Sequence, residues 1–145
     1  MNRFLIALLL VAAGCVNVPA LAQGTGADGA LYEALGEKPG ITAIVDDFVN
    51  RMVADPRISP LFKHTKLPNL KQQLTDQFCL LSGGPCKYEG DSMKAVHKDL
   101  GITRANFNQL VEHLQLAMDD KNIPFREQNK LLALLAPMHR DIITK

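Results

Sequence analysis

One apolar pattern constrains the fold more than anything else in the chain. Ile41, Ile44, Val45, Phe48, Val49, Met52 and Val53 fall at i, i+3, i+4, i+7, i+8, i+11 and i+12. That spacing collects them on one face of an α-helix, with Asp46, Asp47 and Asn50 opposite. Asp55-Pro56 ends the pattern, because the residue before a proline is pushed out of the helical region. A second stripe, Leu67, Leu70, Leu74, Phe78 and Leu81, predicts another helix, with Pro68 tolerated in its first turn and Gly83-Gly84 closing it. Thr103 caps a third whose core face is Phe107, Leu110, Val111, Leu114 and Met118. A last helix begins near Pro124 and carries Leu131, Leu132, Leu135, Met138 and Ile142, with Pro137 predicting a kink.

Shorter helices are expected around Leu31, Tyr32 and Leu35, closed by Gly36, and from Ser92 to Leu100, stopped by Gly101. Pro39-Gly40 is expected to turn the chain, and Ser59-Pro60-Leu61-Phe62 reads as a tight connection. No segment alternates with period two over a useful length. The expected fold class is therefore all-α. The 145 residues, 47% hydrophobic and 21% charged, suit one domain with a buried core. The net charge of +1 gives no electrostatic argument for nucleic acid or an anionic membrane as a partner.

The front of the chain reads as an address. Asn2-Arg3 supplies a positive start, residues 4–13 are an unbroken apolar run, and Ala20-Leu21-Ala22 is a small-x-small cleavage site. Residues 1–22 are read as a signal peptide, residues 23–29 as a flexible Gly- and Ala-rich lead-in, and residues 30–145 as the domain. The apolar run is too short for a transmembrane span, which needs about twenty residues. A competing reading takes Val11-Ala12-Ala13-Gly14-Cys15 as a lipoprotein signal, with Cys15 the lipidated first residue.

Export places the chain in a compartment that oxidises thiols, most simply the periplasm, and leaves Cys79 and Cys86 as an even pair. They flank Gly83-Gly84-Pro85, a turn-forming run able to bring them together as a disulfide. Two free, buried thiols are the alternative. No C-x-x-C spacing supports a zinc site.

Motifs for common enzyme chemistries are missing: the chain holds no P-loop, no G-x-S-x-G elbow and no H-E-x-x-H pair. Four histidines remain. His64 lies in a Lys-rich connection, His113 among mixed neighbours on a helix, and His139 beside Arg140, each read as a surface or packing residue. His97 sits on the short segment Met93-Lys94-Ala95-Val96-His97, with apolar Met93 and Val96 beside it. A haem needs such a setting, a neutral imidazole on a stiff element among apolar side chains, yet one histidine on an apolar face is more often simple core.

Several motifs in order alter that balance. Asp47-Phe48, Leu61-Phe62, Gly83-Gly84-Pro85, Tyr88-x-Gly90, Met93-Lys94-x-Val96-His97 and Gly101-Ile102-Thr103 leading to Phe107 together resemble the group I truncated haemoglobins. These are small globins that sandwich haem between two pairs of crossed helices. The resemblance covers about residues 30–140. It implies haem b, iron protoporphyrin IX, as cofactor, with His97 as the proximal iron ligand and Phe62 packed on the haem face. It also places Phe48, Phe78, Met93, Val96, Ile102, Phe107 and Leu110 in the pocket and Tyr88 near the haem edge. No C-x-x-C-H motif for thioether attachment is present.

The sequence departs from the family on the distal side. Where many members place a tyrosine that donates to the gas ligand, this chain has Val49. Leu70 and Leu74 also fall at distal positions, and Leu70, Gln73, Leu74 and Gln77 share one helical face. The space above the iron should be apolar unless Gln73 or Gln77 reaches in, and oxygen should leave quickly if neither donates. The family implies reversible binding of a diatomic gas, oxygen, nitric oxide or carbon monoxide, for transport or for oxidation of nitric oxide to nitrate. The latter would need an electron donor, which the sequence does not identify. Two readings from other classes stand beside this one: a thiol-redox helper using Cys79 and Cys86, and a cofactor-free helical interaction module.

Mass spectrometry of the protein recovered from the envelope of an exporting host tests the front end. A mature chain beginning at Gln23 is expected; an acylated Cys15 at the amino terminus would contradict it.

Overall fold

The computed structural model describes residues 29–145. The expected signal peptide, Cys15 and residues 23–28 of the lead-in lie outside the described residues. Among the described residues the chain forms seven α-helices and two 3₁₀ turns. They are α1 Ala30–Ala34, α2 Glu37–Ala54, α3 Leu67–Leu81, α4 Met93–His97, α5 Arg104–Asp120, α6 Phe125–Leu135 and α7 His139–Ile142, with 3₁₀ turns at Ser59–Phe62 and Ala136–Met138.

The helix that the first stripe predicts is the hub. α2 packs against α3 on one side and α5 on the other, burying Ile41, Ile44, Val45, Phe48, Val49 and Met52. Leu31, Leu35, Ile58, Phe78, Leu114, Met118 and Leu131 complete the core. Each such side chain contributes roughly 1.5–3 kcal/mol when fully buried. α5 begins as Thr103 predicts, with a capping box: the Asn106 N–H donates to Thr103 Oγ1 (3.2 Å) and the Thr103 N–H to Asn106 Oδ1 (3.0 Å).

Three expectations need correction. Pro39-Gly40 does not turn the chain; both residues lie in the first turn of α2. Proline is acceptable there because the first N–H groups of a helix have no intrahelical partner. Glycine suits position 40 because a Cβ would sit 2.2 Å from the Leu35 carbonyl oxygen, where α1 hands over to α2. The short helix expected from Ser92 to Leu100 covers only Met93–His97, capped by the Ser92 hydroxyl accepting from the Ala95 N–H (3.2 Å). None of its residues is fully buried, so no core packing extends it. The last helix does not merely kink at Pro137; it divides into α6, the 3₁₀ turn and α7, since Pro137 cannot supply the N–H that continuity requires.

Cys79, fully buried on α3, is joined to Cys86, with their Cα atoms 5.7 Å apart. The bond ties the end of α3 to the loop that leads to α4. Elsewhere, a polar cluster fastens the end of α2 to α5. Asp55, buried at the C-cap of α2, accepts from Arg57 Nε and Nη2 and from the Arg57 backbone N–H. His113 Nε2–H donates to Asp55 Oδ2 across 58 residues of sequence (2.8 Å). His113 is thus more than a packing residue. The Arg57 side chain first, then its backbone N–H and His113, hold the Asp55 carboxyl well below the usual carboxylate range, against the opposing effect of burial.

Two measurements check these ties. A carboxylate whose folded value is depressed adds stability above its unfolded value, about 3.9, and loses it as pH falls through the folded value. Asp55→Asn is therefore expected to lower stability at pH 7, with the gap to the parent closing as pH drops below about 4 in thermal melts; a pH-independent gap contradicts the assignment. Replacing both Cys79 and Cys86 by Ser should cost roughly 2–3 kcal/mol in urea unfolding, and reductant should bring the parent to the same midpoint. A parent indifferent to reductant contradicts the tie.

Candidate functional site

Leu70 and Leu74 of the α3 stripe are only half-buried, because they face a cavity. Leu67, Leu70 and Leu74 pack at the margin of the core, while Thr75, Gln77, Phe78 and Cys79 are the fully buried residues of α3. The cavity measures about 640 Å³, within the roughly 300–1,000 Å³ of pockets that bury small molecules and cofactors. α3 forms one wall through Leu70, Gln73, Leu74, Gln77 and Phe78. α4 and the turn after it contribute Met93, Val96, His97, Leu100 and Ile102. α2 contributes Phe48 and Met52, the 3₁₀ turn Leu61 and Phe62, and α5 Phe107, Leu110, Val111 and Leu114. Tyr88 to Asp91 form one lip and Thr65, Lys66 and Asn69 another.

The structure thus brings together every site residue expected from the sequence except Val49. Val49 is completely buried in the core of α2 and does not line the cavity; its neighbour Phe48 does. Successive helical residues point about 100° apart, so the two cannot share one direction. Sequence reasoning missed Met52, Ile58, Leu61, Leu100, Asn106, Leu132, Leu135 and Ala136 as lining residues. For the apolar ones on helices the signal was available, since they continue the same stripes, but periodicity does not separate a wall facing a cavity from one facing a helix.

His97 is the one histidine in the cavity wall. Its Nδ1–H donates to the Met93 carbonyl one turn back (2.7 Å). A carbonyl only accepts, so Nδ1 carries a proton, and in the neutral tautomer this selects, Nε2 keeps its lone pair. A hydrogen bond from the second ring nitrogen to a backbone carbonyl is how ligating histidines have their tautomer and orientation set. His64 is exposed, and His139 lies outside the cavity wall, its Nδ1 donating to the Ala136 carbonyl (2.9 Å).

The α3 part of the lining is apolar apart from two amides. Gln77, nearly fully buried, turns its Nε2 toward the sulfurs of Met93 (3.8 Å) and Met138 (3.7 Å). Gln73 has a buried Oε1 with no hydrogen-bond partner among the described residues. It lies under the loop at Gly90, where a Cβ would stand 2.5 Å from both Gln73 Oε1 and the Tyr88 hydroxyl. That hydroxyl donates to the Asp91 carbonyl (2.8 Å), and burial, with Asp91 adding to it, raises the Tyr88 phenol above its ordinary value. A flat, largely apolar macrocycle with a metal at its centre fits this arrangement: apolar walls for its faces, a neutral imidazole with a free Nε2 on one side, and polar lips for charged substituents at the edge.

The comparisons agree with the geometry. The bacterial-like globin family matches residues 30–144. The chain is 31% identical over 114 residues to the group 1 truncated hemoglobin GlbN of Mycolicibacterium paratuberculosis, covering 79% of this chain and 84% of that protein. The truncated hemoglobin of Tetrahymena pyriformis, solved in its Fe(III) form, superposes with a TM-score of 0.76 at 27% identity, over 79% of this chain and 98% of that one. The 2/2 hemoglobin of Synechococcus sp. PCC 7002, solved with covalently attached heme, gives 0.74 at 26% identity, again over 79% and 98%. The chain belongs to the bacterial-like globins and is a group 1 truncated haemoglobin, a haem-binding globin of the two-over-two helical fold.

Proposed function

We propose that the protein is an exported, periplasmic haem b globin that reversibly binds a diatomic gas and holds oxygen weakly. The observation that carries the reading is the His97 tautomer: an imidazole with Nδ1–H committed to Met93 and Nε2 free, in the wall of a 640 Å³ apolar cavity. A bound haem would supply the iron to which the gas binds. The chain's own residues supply everything else. His97 would hold the metal from α4; Phe62, Phe48, Phe78 and Phe107 would cover the macrocycle and exclude water; Lys66 and Asn69 would offer polar partners at the lip. Keeping the iron ferrous would call for an electron donor outside this chain.

Weak oxygen retention follows from the distal wall. A hydrogen-bond donor favours oxygen over nitric oxide or carbon monoxide, because charge accumulates on the oxygen ligand. Here Leu70 and Leu74 donate nothing, and Gln77 is directed at two thioethers. Gln73 is left as the amide able to donate. Export is supported by the amino-terminal segment and by the joined Cys79 and Cys86, since disulfides persist in oxidising compartments.

Stopped-flow oxygen release from the haem-reconstituted protein tests the reading. Leu74→Gln, which adds a donor to the cavity lining, should slow release by roughly 10- to 100-fold, the range of a charge-assisted hydrogen bond, and Gln73→Leu should speed it by a smaller factor. Failure of the parent to develop a Soret band on haem addition overturns the proposal as a whole. Unchanged release in both variants overturns the distal account alone.

A further inference from the structure

α4 carries the one histidine of the cavity on five residues, none of them fully buried. A helix that short does not hold itself, because forming a turn costs more than one or two internal hydrogen bonds return. Its orientation must come from what grips its two ends. The front end has the Ser92 cap. Behind it the chain runs through Leu100, whose N–H donates to the His97 carbonyl (3.2 Å), and Gly101, in the left-handed region at φ 62°, to Ile102.

Ile102 is gripped from the far end of the sequence. Its N–H donates to Thr144 Oγ1 (2.9 Å), and its carbonyl accepts from the backbone N–H groups of both Thr144 (2.8 Å) and Lys145 (3.1 Å). Both backbone groups of this one residue are therefore satisfied by the segment after α7. The Lys145 side chain also lies over Gly101, its Cε 3.1 Å from where a Cβ would stand. Ile102 itself is 7% exposed and lines the cavity. α7, immediately before the gripping residues, packs on α4.

We propose that Thr144 is a positioning residue for the iron ligand: residues 143–145 form a clasp on Ile102 that sets the direction in which α4 presents His97. The link is mechanical and short. The His97 ring is fixed to α4 by its bond to Met93, α4 is fixed to the turn at Leu100–Gly101, and the turn is fixed by Thr144. Slackening the last bond lets α4 tilt, and the imidazole tilts with it. No residue of the clasp reaches the cavity lining except Ile102, so its influence on the iron passes through His97.

The effect on the metal rests on the haem reading above; the clasp itself does not, and the test separates the two. Thr144→Val removes the Oγ1 acceptor with little change of shape, Thr144→Ser keeps it, and Thr144→Pro removes both the hydroxyl and the N–H. In haem-free protein, hydrogen exchange at the Ile102 amide should accelerate in the Val and Pro variants and stay at the parent rate in the Ser variant. In the reconstituted ferrous protein, the iron–histidine stretching band in resonance Raman should shift in Val and Pro and be restored in Ser. Haem dissociation should rise by roughly three- to tenfold in Val, the size of one neutral hydrogen bond. Parent-like exchange in Thr144→Val overturns the clasp. Accelerated exchange with an unmoved iron–histidine band overturns the positioning role while leaving the clasp intact. A parent that takes up no haem overturns the haem reading and, with it, the positioning role.

Discussion

The hydrogen bond from His97 Nδ1 to the Met93 carbonyl is the interaction on which the functional architecture depends. It selects the tautomer with the proton on Nδ1, the one whose Nε2 lone pair can meet a metal. It also makes ring and helix one rigid unit, so that whatever orients α4 orients the ligand. α4 buries no residue completely; its restraint comes from outside, from the Ser92 cap, from α7, and from the residues that hold Ile102. The core on α2 fixes the frame against which these parts are placed.

That frame was readable in the sequence because it is written in local periodicity. The stripes on α2, α3 and α5, the Thr103 cap and the turn between Cys79 and Cys86 need only near neighbours to be recognised. Most of the cavity wall was readable too, through the motifs around His97 and the apolar spacing of α3. What periodicity could not show was which stripe faces a helix and which a cavity: the half-buried Leu70 and Leu74 and the fully buried Val49 look alike on a helical wheel.

The remaining misreadings share a physical cause. Pro39-Gly40 looks like a turn until the Leu35 carbonyl is seen where a Cβ would lie. The grip of His113 on Asp55 spans 58 residues, and that of Thr144 on Ile102 spans 42. Neither pair has a spacing signature, because contacts of that range are set by packing of the whole fold. On the distal side, the structure narrows two candidate glutamines toward one, since the Gln77 amide is turned to the sulfurs of Met93 and Met138 while Gln73 keeps an unpaired buried carbonyl.

The central claim is that His97 binds the iron. It is tested most directly by titrating the haem-free protein with haem and recording the ferric and ferrous spectra of the parent and of His97→Gly, each with and without free imidazole. The account predicts uptake of one haem by the parent, loss of the histidine-ligated spectrum in the variant, and its return when imidazole enters the space left by the side chain. A variant that binds haem with the parent's spectrum, without added imidazole, would contradict it.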